Sequence, residues 1–294
     1  TGRHVTGMRI THTVLFLLLA APAAESSCER SVFLDGNRNG SREAHESGLP
    51  GVAVSDGERI EYTASDGRFR LRAGPGKTLF VIKPAGYAAP RRLDGLPDIF
   101  SNQASPLAGL RFSGVTESDH PCRSFALWPA VADDGADLSV LVFGDPQPKS
   151  GTDIDYYRRD IIEPLRGRVD AGLGISLGDI VHDDLTLLAE VKAADAMLAT
   201  PWLYAAGNHD LDFDAPDDAL SLESFRNQFG PDTFAWEEHR ANFIVLDDVV
   251  YLPGQKPEYI GGLRESQFAF LEAYLSTADK SRLLVIAAHI PLLQ

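Results

Sequence analysis

Two aspartates, a glutamine, an asparagine and two histidines recur at matching places in the second half of the chain, each just past a run of apolar residues. Residues 138–143 lead into Gly144-Asp145-Pro146-Gln147, and residues 171–177 into Gly178-Asp179-Ile180-Val181-His182-Asp183. Residues 202–206 lead into Gly207-Asn208-His209-Asp210, and residues 282–288 into His289-Ile290-Pro291. A single Gly-Asp after a strand is ordinary turn chemistry. Four run ends carrying Asp, Asp, Asn-His and His, in that order, form the pattern expected when loops at one sheet edge build a site together. Carboxylate, carboxamide and imidazole are ligands of borderline-to-hard divalent metals. Two such ions about 3.5–4 Å apart, bridged by a carboxylate, can generate a hydroxide and clamp both oxygens of an in-line phosphoryl displacement. Carboxylates gathered near one point repel each other, and a bound cation removes that repulsion.

A second constellation lies near the start. Asp35-Gly36-Asn37-Arg38-Asn39-Gly40-Ser41-Arg42-Glu43-Ala44-His45-Glu46 fits the calcium-loop pattern D-x-[DN]-x-[DN]-G-x5-E at every position. A hard cation would take oxygens from Asp35, Asn37, Asn39, the Ser41 carbonyl, Glu43 and both atoms of the Glu46 carboxylate, with Gly40 permitting the turn. No helices flank the loop, and two ligand positions are neutral, so an Asx-rich turn without an ion is the alternative reading.

The elements that must position these groups change character near residue 130. Residues 29–128 read as short strands at 30–34, 51–55, 59–63, 68–73 and 79–83. Asp-Gly, Asn-Gly and Gly-Pro-Gly turns separate them, as in a small β-sandwich. Phe69 and Leu71 alternate with arginines and face a core. Residues 129–136 form a linker without periodicity. Beyond it, apolar runs at 138–143, 171–177, 202–206, 241–246 and 282–288 alternate with amphipathic stretches at 153–165, 185–198, 220–229 and 262–275. Leu187, Val191, Ala194 and Leu198 recur at helical spacing and mark a core face. Residues 137–294 therefore form an α/β layered domain whose strands are buried on both faces. Trp202 and Trp236 are assigned to the core and His239 to the surface. His182 is a helix-start residue or faces substrate. Asp212, Asp214, Asp217 and Asp218 form a solvated acidic loop.

In this order the blocks resemble the calcineurin-like metallophosphoesterase superfamily, whose signature runs D-x-[HQ], G-D, G-N-H-[DE], H, then G-H-x-H. The first four blocks span residues 145–289. The resemblance implies a four-layer α/β/β/α sandwich. Asp145 would bind a first metal, with Gln147 where His is more common, as in a D-x-Q subgroup. Asp179 would bridge two metals, and Asn208 and His289 would bind the second. His209 would face the phosphate and stabilise or protonate the leaving oxygen, oriented by Asp210. The cofactor would be two divalent ions, Mn, Fe or Zn, among which this donor set does not choose. The substrate would be a phosphomonoester or phosphodiester, on a small molecule or on a lipid or envelope component. No G-H-x-H follows His289 within the 294 residues, so the domain is expected to be incomplete at its C-terminus. Residues 32–54 resemble the calcium-binding B-type repeats of bacterial surface adhesins, which implies an immunoglobulin-like sandwich with a structural Ca²⁺. Together with the absent block, that leaves a second reading: a calcium-stiffened extracytoplasmic adhesion or scaffold protein with a degenerate phosphoesterase domain.

The whole chain narrows the field further. Its 294 residues suit about two domains, and a hydrophobic fraction of 44% suits a globular protein. Residues 1–135 carry 15 basic and 15 acidic side chains, so the formal charge of −15 belongs to the remainder. That balance argues against a nucleic-acid partner. Met8, Arg9 and His12 precede the apolar residues 14–20 and Ala21-Pro22-Ala23, a secretory signal peptide within residues 1–23. Its apolar run is far short of the roughly 20 residues a membrane span needs. The expected location is periplasmic, cell-surface or extracellular. There Cys28 and Cys122 can pair or stay separate. Nothing in the sequence sets an oligomeric state.

Overall fold

The computed structural model describes residues 1–2, 30–105, 109–119, 123–130 and 137–291. The signal-peptide segment, Cys28 and Cys122 lie outside the described residues.

Among the described residues, eight short strands occupy the first part: β1 (Arg30–Leu34), β2 (Ala53–Ser55), β3 (Ile60–Tyr62), β4 (Arg68–Phe69), β5 (Thr78–Val81), β6 (Tyr87–Ala88), β7 (Phe100–Asn102) and β8 (Phe125–Pro129). They form two four-stranded sheets, ordered β4-β1-β8-β6 and β3-β2-β5-β7. Pairing is antiparallel except between β1 and β8, which run parallel with Val32 opposite Phe125. Both sheets contribute to one buried cluster: Val32, Phe69, Phe125 and Leu127 from the first, Val54, Phe80, Val81 and Phe100 from the second. Phe69 and Leu71 are buried, as their alternation with arginine requires.

The second part alternates strands and helices. β9 (Val140–Phe143) is followed by α1 (Gly151–Tyr157), which runs through a π-helical turn into α2 (Glu163–Leu165). Then come β10 (Leu173–Leu177), α3 (Leu188–Ala196), β11 (Trp202–Ala205), α4 (Glu223–Phe229), β12 (Phe234–Glu237) and β13 (Ala241–Val245). β14 (Val249–Tyr251), β15 (Tyr259–Gly261), α5 (Glu265–Thr277) and β16 (Leu283–Ala287) complete it. β9, β10 and β11 form a parallel sheet in the order β11-β10-β9. β13 pairs antiparallel with β12 and parallel with β16, with α5 in the crossover, while β14 and β15 make a hairpin. Parallel strands end at one edge, so the loops after β9, β10 and β11 emerge together, with that of β10 in the middle. β13 and β16 likewise end side by side. The molecule is thus mixed α/β with several sheets. The apolar runs of the sequence coincide with β9, β10, β11, β13 and β16, whereas β12 and the hairpin have too little period to be read in advance.

The two parts meet over a continuous core. Phe80 of β5 lies against Phe234 and Phe270, with ring centroids 6.3 Å apart in both pairs. Glu237 N–H donates to the Lys83 carbonyl at 2.9 Å, and Lys83 bridges Trp236 as a one-residue extension of the β12 ladder. Lys83 is 2% exposed, and its Nζ reaches Glu238 at 2.7 Å. Among the described residues no helix is long and apolar enough to cross a membrane.

Candidate metal centre

Asp145, Asp179 and His289 come from the ends of β9, β10 and β16 and offer ligand atoms within 4.8 Å of one another. Gln147 donates from its side-chain amide to Asp179 Oδ2 at 2.6 Å and from its backbone N–H to the Asp179 carbonyl at 3.1 Å. Turned over, that amide presents its oxygen to the same place. Asn208 Oδ1, after β11, is 3.2 Å from His289 Nε2, and Asp179 Oδ1 is 3.3 Å from the same nitrogen. The structure therefore gathers all five residues read as metal ligands. Asp179 lies at their centre because β10 is the middle strand of its sheet.

The backbone works against its own preferences to do this. Asp145, Gln147 and Asp179 have φ of 47°, 38° and 48°, the left-handed region that side-chain-bearing residues rarely adopt. Each such residue costs about 1–3 kcal/mol, and this kind of strain gathers where function requires a particular aim. The neighbouring glycines supply room. A Cβ on Gly207 would lie 2.1 Å from the Asp179 nitrogen and 2.3 Å from its Oδ1, and one on Gly178 would lie 2.8 Å from the His289 ring.

The chemistry of the donors fits a divalent cation. His289 Nδ1 is 2.9 Å from the Leu177 carbonyl, which can only accept, so Nδ1 carries the proton and Nε2 presents a lone pair. That lone pair faces Asp179 Oδ1 and Asn208 Oδ1, two further acceptors. Three lone pairs aimed at one point need a positive charge between them, and a backbone partner on the far ring nitrogen is the usual way a metal-binding histidine is held. Asp248, 1% exposed, fixes the β16 loop by accepting the His289 and Ile290 N–H groups on Oδ1, each at 3.1 Å. Burial raises its pKa. The signal for it was present in the sequence: residues 241–246 form a fifth apolar run, and Asp247-Asp248 ends it.

His209 stands beside this group, its backbone N–H donating to Asp179 Oδ1 at 2.9 Å. The orienting role implied for Asp210 requires correction. Asp210 is fully buried and accepts the N–H groups of Gly207, Ile180 and Val181 at 2.8, 3.1 and 3.2 Å, so it ties the β10 loop to the β11 loop. Burial pushes its pKa up to about 7 despite those three donors. The residue on the His209 ring is Asp183, with Oδ1 2.7 Å from Nδ1. Its position in the same loop as Asp179 was the available clue.

Other expectations also change. Asp212 and Asp218 are not a solvated run. Asp212 is 0% exposed and accepts the Ser224 N–H and hydroxyl, with burial raising its pKa to about 6. Asp218 pairs with Arg264, which also reaches Asp247 at 2.6 Å. His239 is exposed, while Trp202 and Trp236 are buried, as expected. In the 35–46 loop, Asp35 is 0% exposed and accepts the N–H groups of Arg38, Asn39 and Gly40. Glu46 accepts those of Gly36 and Glu43, Glu43 accepts the Asn37 and Asn39 amides, and the Ser41 N–H goes to Asn39 Oδ1. The six residues lie together, and their carboxylates accept from the loop's own donors in the manner of nested Asx turns, except that Glu43 Oε2 is buried without a hydrogen-bond partner among the described residues.

Two comparisons with known proteins bear on this geometry. Residues 36–112 match the family model described as the N terminal of calcineurin-like phosphoesterase. That segment covers β2 to β7 and most of the 35–46 loop, contains none of the five residues gathered at the metal centre, and overlaps the stretch resembling adhesin repeats. No curated protein matches the chain.

Proposed function

We propose that the protein is a metal-dependent phosphoesterase that hydrolyses a phosphomonoester or phosphodiester. The observation that carries this reading is the convergence of Asp179 Oδ1, Asn208 Oδ1 and the His289 Nε2 lone pair, beside a second pair of donors on Asp145 and Gln147. The match of residues 36–112 to the N-terminal part of calcineurin-like phosphoesterases supports it from a separate stretch of chain.

Asp145, Gln147 and Asp179 would hold one divalent ion, and Asp179, Asn208 and His289 the other. Such a pair, when bound, supplies Lewis acidity and a water of lowered pKa. The protein's own part is positional. Leu177 holds His289 in one tautomer, Asp248 anchors the loop that carries it, and Asp183 aims His209 toward the phosphoester as the donor to its oxygens. Export, the four-layer arrangement, an immunoglobulin-like first module and a Ca²⁺ in the 35–46 loop complete the proposal.

The test is hydrolysis of a panel of phosphomonoesters and phosphodiesters after loading with Mn²⁺, Fe²⁺ or Zn²⁺, with metal content counted in parallel. Wild-type protein is expected to hydrolyse at least one ester and to lose that activity on chelation. Asp179→Asn is expected to bind less metal and to lose at least 100-fold in rate, by analogy with the loss of one electrostatic stabiliser. Full metal content in that variant, or wild-type protein inert toward every ester, would overturn the reading.

A further inference from the structure

His182, Asp183 and His209 form a second group whose ligand atoms lie within 4.8 Å of one another, and it shares no residue with the five assigned to the metal pair. The Asp183 carboxylate lies beside the two rings, with Oδ1 2.7 Å from His209 Nδ1 and Oδ2 4.0 Å from His182 Nε2. The two imidazoles are stacked, with centroids 4.4 Å apart and planes 25° from parallel. Two features exceed what aiming His209 requires. Asp183 itself is left-handed, with φ of 62°. In addition, His182 Nδ1 is buried and has no hydrogen-bond partner among the described residues, so no bond fixes that ring's tautomer.

We propose that these three side chains are a third cation site, separate from the metal pair and selective for a borderline ion such as Zn²⁺, and that filling it inhibits the enzyme. Two imidazoles and one carboxylate, with the remaining position open to water, form the donor set of an open zinc site. Calcium and magnesium, which take oxygen ligands, are excluded by the same set. Tetrahedral zinc at its usual bond lengths separates its ligands by about 3.3 Å, so the group need close by only about 1.5 Å. An ion there takes His209 Nδ1 and the Asp183 carboxylate together, and so withdraws from the phosphoester the ring that the reaction uses. Ion binding stands independently of the proposed activity; the inhibition rests on it.

The experiment is equilibrium dialysis of the chain against increasing Zn²⁺ with bound metal counted. Hydrolysis is followed over the same range, for wild type, His182→Gln and Asp183→Asn. Wild type is expected to take up one more ion than either variant, and excess Zn²⁺ to move the His209 ring nitrogen resonances. Half-inhibition by Zn²⁺ should rise at least tenfold in His182→Gln. Equal ion counts in wild type and both variants, with unchanged circular dichroism, overturn the site. An additional ion without inhibition of an active enzyme overturns its inhibitory role. An additional ion in a chain that hydrolyses no ester leaves the site standing and sinks the phosphoesterase reading instead.

Discussion

Asp145 and Gly207 are opposite solutions to one crowding problem. Asp145 is exposed, makes no other described hydrogen bond through its side chain, and sits at a φ that glycine adopts at no cost. Asp145→Gly should therefore leave the metal-free chain as stable as before or stabilise it by up to about 1 kcal/mol, while metal affinity falls at least tenfold. Thermal melts of chelated protein beside metal titrations check both halves, and a loss of stability would sink the strain account. Gly207→Ala should do the reverse, lowering stability and metal content together, because its Cβ would enter the space of the Asp179 backbone. Asp183→Asn should lower kcat more than it raises KM, since Asp183 touches His209 and no ligand of the metal pair. The convergence of the five proposed ligands was legible in sequence because each follows an apolar run. The acid that contacts the His209 ring was not: Asp183 and Asp210 are both near His209 in sequence, and only the fold shows that Asp183 meets the ring and Asp210 faces three backbone amides.

At the scale of elements, α1, α3 and β11 are joined by a carboxylate that no periodicity reveals. Asp195 of α3 is 0% exposed and accepts the hydroxyls of Tyr157, at the end of α1, and Tyr204 of β11, at 2.5 and 2.9 Å. Of the core face read at Leu187, Val191, Ala194 and Leu198, the first three are buried and Leu198 is half-buried, while Asp195, next to Ala194, belongs to no apolar period. Burial pushes its pKa up to about 7, against the two tyrosine donors. Since the folded value exceeds that of the unfolded chain, the folded state holds the extra proton. The stabilisation is complete below about pH 4 and is lost as pH rises toward 7. The loss is at most about 1.4 kcal/mol per pH unit. Unfolding free energy measured from pH 4.5 to 8 should thus decline less steeply in Asp195→Asn than in wild type. Parallel curves would show that the buried carboxyl does not titrate in this range.

For the whole molecule, the sequence's change of texture near residue 130 marks a boundary in composition that the packing runs across. The formal charge of −15 resides beyond that point, yet several of its acids are interior: Asp179, Asp195, Asp210, Asp212, Asp247 and Asp248 are all buried. The acidity is therefore partly a property of loops that meet inside the molecule, and only in part a solvated coat. The same continuity governs stability. Phe80, 1% exposed on a strand of the first part, is covered by Phe234 and Phe270 of the second, while buried Lys83 needs Glu238 across the same boundary. Truncating a buried phenylalanine costs about 3–5 kcal/mol, and at this position the cost falls on the contact between the two parts. If the core is one cooperative unit, calorimetry of wild type shows a single transition, and Phe80→Ala lowers its midpoint without splitting it. If the parts are thermodynamically independent, Phe80→Ala separates a stable transition from a weakened one, and Lys83→Met, which leaves the Glu238 carboxylate with the Trp236 indole N–H but no counter-charge, weakens the same one. Because the proposed ligands and the acids around them all lie in the second part, the single-transition outcome also requires metal loading to raise the melting temperature of the first.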